Sequence, residues 1–242
     1  MSRVHGGVSR AADIHLQEAA HQVHSTYADM NLGITDNEGI LNISVSIDGT
    51  WQKRGHQSHN GVVTVIETMT GLVIDFVALS NYCRACESGP KPDAPDYEGW
   101  MAIHRPTCQK NINCSSNAME MEGAVILFQH SIQLHRFRYT SMLGDGDSKT
   151  HTKLLEVNPY DGWEIEKLEC TNHVSKRMAT ALRNLVAKKK AQGQPIGGRG
   201  KLTELRIKEL TNYYGSAIKN NQGDTVAMRT AVWASFFPHS EQ

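Results

Sequence analysis

The sequence has no apolar stretch close to the roughly 20 residues needed to cross a bilayer, so no membrane-spanning helix is expected. Its N-terminus, MSRVHGGVSRAADIHLQEAAH, lacks an apolar core of signal-peptide length. Together these absences predict an intracellular protein without a membrane partner. Net charge is also lacking: 25 Lys and Arg balance 25 Asp and Glu, so overall charge selects no class of partner. A P-loop is missing too. Gly197-Gly-Arg-Gly-Lys201 has its basic end, but Pro195 stands where the first Gly would be and Leu202 where Ser or Thr would be. Cysteine is scarce, with five in the chain. In a reducing compartment those five are thiols or metal ligands rather than disulfides.

What is present suits one large α/β domain carrying an insertion. Residues 10–30 read as a polar helix. The early histidines His5, His15, His21 and His24 fit no metal motif and are expected to be structural. Asn42 to Ile47 reads as a first strand, Gly61 to Ile66 as a second and Leu72 to Leu79 as a third. The short ETMTG link between the last two favours an antiparallel hairpin. Residues 80–118 show neither helix nor strand period. Ala118 to Phe137 reads as a buried helix, Arg138 to Leu143 as a fourth strand, and Thr150 to Val157 as a short helix stopped by Asn158-Pro159. A fifth strand is expected over Trp163 to Leu168 and a long basic helix over His173 to Lys190. A flexible GQPIGGRGK segment and two or three further helices follow. A hairpin followed by strand–helix alternation implies a mixed sheet with helices on its faces.

Ligands in open α/β sheets collect where strands end. Asp48 ends the first strand and Asp145 the fourth, within Leu143-Gly-Asp-Gly-Asp147. If those strands are neighbours, the two carboxylates converge and repel unless a cation lies between them. Mg²⁺ or Mn²⁺ prefers such oxygen ligands, and a pair of ions about 3.5–4 Å apart supports phosphodiester cleavage. The alternative is that Asp48 opens a turn and Asp145 caps the next helix, since Asp-Gly is a common turn dipeptide. Cys170 and His173 lie three residues apart where the fifth strand meets the basic helix. They read as half a zinc site, as a pair that orients the metal cluster, or as a buried Cys beside a capping His. Glu120 and Glu122 suit the start of their helix. Either would approach the acids only if that N-terminus pointed at them.

The irregular segment carries Cys83-x2-Cys86, 17 intervening residues, then His104-x3-Cys108. Paired knuckle spacings of this kind suit tetrahedral Zn²⁺ in a structural role. Cys114 competes for the fourth position, and a set of reduced thiols in a loop is the alternative. Between Val174 and Lys208 the chain carries Lys176, Arg177, Arg183, Lys188, Lys189, Lys190, Arg199, Lys201, Arg206 and Lys208 against one acid, Glu204. Such an excess suits either a phosphate backbone or a solvated helix face. Trp51, Trp100, Trp163 and Trp233 are expected to be packing residues.

In order along the chain, DGTWQKRG, GAVILF, YTSMLGDGDSK, LECTNHVSKRM, PIGGRGKLT and NYYGSAI resemble the Mutator-like transposase domain. That family belongs to the DDE transposases, which have a ribonuclease H-like core. The likeness covers about residues 40–240 and implies a metal-dependent enzyme of DNA strand cleavage and transfer. Asp48 is then the first catalytic acid, Asp145 the second and Asp147 a weaker candidate. Cys170-x-x-His173 becomes the family's Cys/Asp-x-x-His signature. The family also carries a similar Cys/Cys/His/Cys set, which supports the zinc quartet. Lys176, Arg177, Arg183, Lys188, Lys189, Lys190, Arg199 and Lys201 become DNA contacts.

The implied partners are transposon-end and target DNA, with a homo-oligomer compatible, and a DNA substrate implies the nucleus. The expected organisation is an N-terminal helical segment (1–39), three core strands (40–80), a zinc-binding insertion (81–117), the rest of the core (118–190) and a helical insertion (191–242). The pattern also calls for a third acid, usually a Glu on a helix after that insertion. Glu204 and Glu209 lie within the insertion and Glu241 on the tail, none in a matching motif. A truncated copy, or part of a longer gene product, is therefore expected, and the alternative function is a non-catalytic, transposase-derived DNA- or protein-binding module.

Overall fold

The computed structural model describes residues 2–32, 36, 38–53, 58–144 and 148–236, with only the backbone described for 2–9 and 148. The chain forms two compact units, Met1–Leu168 and Glu169–Gln242. Strands β1 (Leu41–Trp51), β2 (Asn60–Glu67), β3 (Val73–Ser80), β4 (Phe137–Gly144) and β5 (Glu166–Glu169) form one sheet in the order β3-β2-β1-β4-β5. β2 pairs antiparallel with β3, as the hairpin signal predicts, and β1 pairs antiparallel with β2. β1 pairs parallel with β4, so the sheet is mixed.

The first strand runs further than its apolar alternation suggests. Ile43 and Val45 are buried, and the expected end was Ile47. The ladder with β2 continues through Asp48↔Thr64 and Gly49↔Val63 to Trp51↔Gly61. The partner strand carries it: Gly61 has no side chain, and the Trp51 ring lies over it, where a Cβ would come within 2.0 Å of the ring. Towards β4 the ladder stops earlier, at Ser46↔Leu143. Asp48 therefore lies within a strand on one side and beyond the last described pair on the other.

Two helices cover one face of the sheet, α1 (Ser2–Asp29) and α4 (Ser116–His135). A Cβ on Gly123 of α4 would stand 2.6 Å from Val63 Cγ2, so a glycine is what lets this helix settle onto β2. Met119, Leu127 and Phe128 on α4 are fully buried against the sheet. Arg136 ends the helix with φ 59, and Phe137 begins β4 at once. From α1, Val23 and Tyr27 enter the same core. The His24 ring stacks on Phe137 at 4.6 Å, a packing role as expected.

Two buried carboxylates fix the hairpin to these helices. Glu67, fully buried, accepts from the Met69 and Thr70 amides (2.9 and 2.7 Å), the Thr70 hydroxyl (2.6 Å) and the Tyr27 hydroxyl (3.0 Å). It closes the β2–β3 turn and ties it to α1. Asp75 on β3 accepts from His130 Nε2 at 2.7 Å and lies 3.2 Å from His135 Nε2, both on α4.

The segment expected to be irregular contains α2 (Arg84–Ser88), α3 (Tyr97–His104) and a 3-10 turn (Arg105–Thr107). These are too short to show a period. α5 (Ser148–Val157) packs on α4, and Trp163 precedes β5 rather than opening it. Arg138 instead places its guanidinium 4.3 Å from the Trp163 ring while pairing with Asp36 at 3.0 Å.

In the second unit, α6 (Thr171–Ala191) packs on α7 (Glu204–Asn220), and α8 (Thr225–Phe236) on α7. Ser175 and Gly215 mark the close approach of the first pair, since a Cβ on Gly215 would lie 2.7 Å from the Ser175 hydroxyl. The 193–201 segment, expected to be flexible, is folded into turns. Leu202 N donates to the Ile196 carbonyl at 2.9 Å, and Gly197 packs on Val186. Among the described residues no helix is long and apolar enough to cross a membrane.

Burial pushes the Asp75 carboxyl up, but the hydrogen bonds and charges of His130 and His135 outweigh it and hold it below the ordinary Asp value. A carboxylate depressed on folding stabilises fully above its unfolded value, about pH 4, and loses that contribution as pH falls through the folded value. Urea unfolding of Asp75→Asn should show about 1.5–3 kcal/mol less stability at neutral pH. It should also show a shallower loss of stability below about pH 4. Parent and variant curves that superimpose across this range would contradict the assignment.

Candidate functional site

The insertion between β3 and α4 brings four ligand atoms together. The sulfurs of Cys83, Cys86 and Cys108 and a ring nitrogen of His104 all lie within 4.8 Å of one another. Cys86 Sγ is 3.2 Å from His104 Nε2 and 3.5 Å from Cys108 Sγ, and Cys83 Sγ is 3.4 Å from His104 Nε2. A zinc tetrahedron with Zn–S about 2.3 Å and Zn–N about 2.0 Å has edges of about 3.5–3.8 Å, so the donor set fits that ion. The spacing explains the convergence: α2 starts just after Cys83, while His104 ends α3 and the 3-10 turn brings Cys108 back.

The Trp100 ring stacks on the His104 ring at 4.7 Å and fills the space over Gly89, which orients the imidazole. Amides of Cys86 and Gln109 pull the Cys83 thiol down to about 6. Burial and the neighbouring thiols push Cys86 up to about 11. Crowded sulfurs thus oppose shared ionisation, and a cation would relieve the opposition. Cys114 does not join them. Its sulfur packs against the sheet core, where burial raises its thiol. Among the described residues this is the one group of three or more metal-ligating side chains close enough to share an ion.

Asp48 is exposed on β1, and the Thr64 hydroxyl donates to its backbone carbonyl at 3.2 Å. Asp145 and Asp147 lie outside the described residues, as does Glu241. β4 ends at Gly144, immediately before Asp145. The N-terminus of α4 does reach this end of the sheet. A Cβ on Gly49 would meet Glu120 Oε2 at 3.1 Å and the Glu120 carboxyl carbon at 3.3 Å. A cavity of about 440 Å³ opens beside it, lined by Trp51, Ser115, Glu120, Lys149 and Thr150 among others. Sequence reasoning placed Glu120 at the helix start but not at the sheet. The signal was the glycine pair, Gly49 on the strand and Gly123 three residues after Glu120.

In the second unit, Cys170 is the N-cap of α6 and His173 follows in its first turn. His173 Nδ1 is buried, with no hydrogen-bond partner among the described residues. Ser175, Ala179, Leu182 and Val186 recur at helical spacing on the side of α6 that faces α7. Lys176, Arg183 and Lys190 repeat every seven residues along one flank of that face, and Arg177 and Lys188 lie on the opposite side; all five are exposed. Lys189 lies apart from them and donates to Gln194 at 3.2 Å. Arg199 is exposed in the turn segment, and Lys201 Nζ donates to the Pro195 carbonyl at 2.7 Å. Arg177 pairs with Glu169 at 2.8 Å. Arg183 Nε donates to Glu204 at 2.9 Å, and Arg206 donates to Glu209 at 2.9 Å. Both glutamates weighed as third acids in this unit are thus engaged by arginines.

Comparison with known families gives a match to the Mutator-like transposase model over residues 1–239, nearly the whole chain. No significant match was found among curated proteins or solved structures.

Purified protein should contain about one zinc per chain, by elemental analysis. Cys86→Ser should lower that content and reduce the melting temperature by at least about 4 °C, the effect of roughly 1–2 kcal/mol in a chain of this size. A zinc-free protein that melts with Cys86→Ser would reject the assignment.

Proposed function

The chain belongs to the Mutator-like transposase family, and from that membership we propose that it cuts and joins DNA at a divalent-cation site built on Asp48. The strand order β3-β2-β1-β4-β5, antiparallel from β3 to β1 and parallel from β1 to β4, supports a ribonuclease H-like core. One observation carries the reading. Ser46 and Leu143 are parallel partners on adjacent strands. Asp48 lies two residues past the first and Asp145 two past the second, so the same register carried forward would bring the acids side by side. That is the convergence two carboxylates need to hold Mg²⁺ or Mn²⁺.

The oxygen-donor chemistry and exposure of Asp48 fit such an ion. Bound there, it would supply Lewis-acid stabilisation of charge developing on the phosphate. The protein's own contribution is position. The β2 ladder and the Thr64 hydrogen bond hold the backbone at Asp48, and the Trp51 ring braces the strand against Gly61. In the cleavage step water replaces the 3′ oxygen at phosphorus, leaving a 5′ phosphate and a free 3′ hydroxyl. In the transfer step that hydroxyl attacks a target phosphodiester, forming a new P–O bond and displacing the target's own 3′ oxygen as a free hydroxyl. The basic face of α6 would track DNA phosphates, with Lys176, Arg183 and Lys190 along one stripe. The Cys83, Cys86, His104 and Cys108 set would hold a structural zinc. Transposon ends and target DNA would be its partners, with a homo-oligomer compatible, and its work would lie in the nucleus.

A second reading, a non-catalytic DNA- or protein-binding module, is favoured by one observation: Glu204 and Glu209 are held in ion pairs with Arg183 and Arg206. The two readings separate in one assay. Mg²⁺-dependent nicking of DNA should fall at least about 100-fold in Asp48→Asn, a loss of roughly 2.7 kcal/mol of transition-state stabilisation. DNA affinity should stay within about twofold, since α6 carries the phosphate contacts. A parent protein that binds DNA without nicking would select the module. Nicking retained in Asp48→Asn would remove Asp48 from the mechanism.

A further inference from the structure

We infer that the cleft between strands β1–β3 and the cysteine-bearing insertion takes an unpaired base of a DNA strand. This rests on DNA as the partner of the chain, and the Asp48 reading enters only where the strand is placed. The cleft has a volume of about 960 Å³, within the range of small-ligand sites, about 300–1,000 Å³. Thr50 of β1, Val62 of β2 and Ala78 of β3 form its floor, as cross-strand neighbours in one row. Side chains alternate between the two faces along a strand. Thr50 therefore shares the sheet face of Asp48, two residues earlier, while α1 and α4 cover the other face, where Val63 and Val65 are buried. Pro106, Thr107 and Gln109 of the insertion form the wall. Asn111 locks wall to floor: its side-chain carbonyl accepts from the Ser80 amide at 2.7 Å, and its amide nitrogen donates to the Ala78 carbonyl at 2.8 Å.

Among the described residues, none that lines the cleft is charged. A phosphate would find no cation inside it, and a cationic ligand no carboxylate. Its surface is hydroxyl, amide and apolar, the chemistry that holds a planar base with donors and acceptors along its edge. Gln52 Oε1 accepts from Asn60 Nδ2 at 2.8 Å, so the pair keeps an amide donor on Gln52 and a carbonyl acceptor on Asn60 for a ligand. Trp51 also lines the cleft, and its ring is held over Gly61, so the indole is in place before a ligand arrives. Pairing hides the edge of a base in a duplex, and only an unpaired base can offer it here. Cations stand next to lining residues along the chain: Lys53 after Gln52, Arg105 before Pro106 and Lys110 after Gln109, all exposed. They would meet the phosphates on either side of the base. From Asp48 to Thr50 is two residues, roughly 7 Å along β1. A phosphate held at Asp48 would thus leave a neighbouring base within reach of the cleft.

The test uses the full chain and two end-labelled probes, a DNA duplex with one unpaired adenine and the same duplex without it, titrated by fluorescence anisotropy. The parent should bind the first at least about fivefold more tightly, the low end of what one base gains on an aromatic-containing surface. Ala78→Phe fills the floor of the cleft. It should remove the preference while affinity for the paired duplex stays within about twofold. Ala78 is exposed, so the melting temperature should stay within about 2 °C of the parent. If Ala78→Phe melts lower than that, Gln109→Ala decides: it removes one exposed amide and should reduce the preference at least about twofold. Asp48→Asn should keep the preference in full, which separates this inference from the cation reading. Nicking lost in Asp48→Asn with the preference intact supports both. Nicking retained there, with the preference lost in Ala78→Phe, leaves the cleft assignment standing without the cation site. A parent that binds both duplexes equally, or a preference unchanged in the deciding variant, would overturn the assignment and leave the cleft to a segment of a protein partner.

Discussion

The close approach of α4 to the sheet at Gly123, Val63 and Gly49 sets the geometry on which the rest depends. A helix normally stands off a sheet by the depth of two side chains. Here one of the two is missing, because Gly123 has none, and the helix drops onto Val63. That contact fixes both the height and the rotation of α4. Its buried face then follows, with Met119, Leu127 and Phe128 in the core. Its C-terminal end presents His130 and His135 to Asp75, and its N-terminal end reaches β1. Packing is dense enough that a small change at one such point is felt along the element.

The chain is stabilised in two different ways. The sheet unit relies on apolar burial, reinforced by Glu67 and Asp75, each provided with donors that make a buried charge tolerable. The insertion has no such core. Cys83 is its one buried residue between positions 81 and 117, and its helices bury no residue of their own. A zinc ion held by the four ligand atoms, as proposed, would do there the work that apolar side chains do elsewhere, and the Trp100–His104 stack lies beside them.

Much of this was legible in the sequence. The hairpin, the buried α4 and the strand–helix alternation follow from periodicity and turn chemistry. The quartet of Cys83, Cys86, His104 and Cys108 follows from knuckle spacing. Other features were hidden for physical reasons. β1 continues past Ile47 because its partner β2 offers Gly61 beneath Trp51, a cross-strand fact that no single-strand pattern contains. α2 and α3 are too short for a period to emerge. Cys114 could not be separated from Cys108 by spacing, and only its packing against the sheet decides against it. Glu120 read as an ordinary helix-start acid, because its reach depends on glycines in two distant segments.

One further consequence follows from the junction at Arg136. The helix ends and β4 begins with a single left-handed residue between them. There is no slack to absorb a length change. One residue more or less would reverse which side chains of β4 face the helices and would carry the end of the strand away from Asp48. The turn between α2 and α3 tolerates growth far better, since it lies outside the core. Natural variation in the length of this protein should therefore gather around residues 88–96, while the step from helix to fourth strand keeps a fixed count.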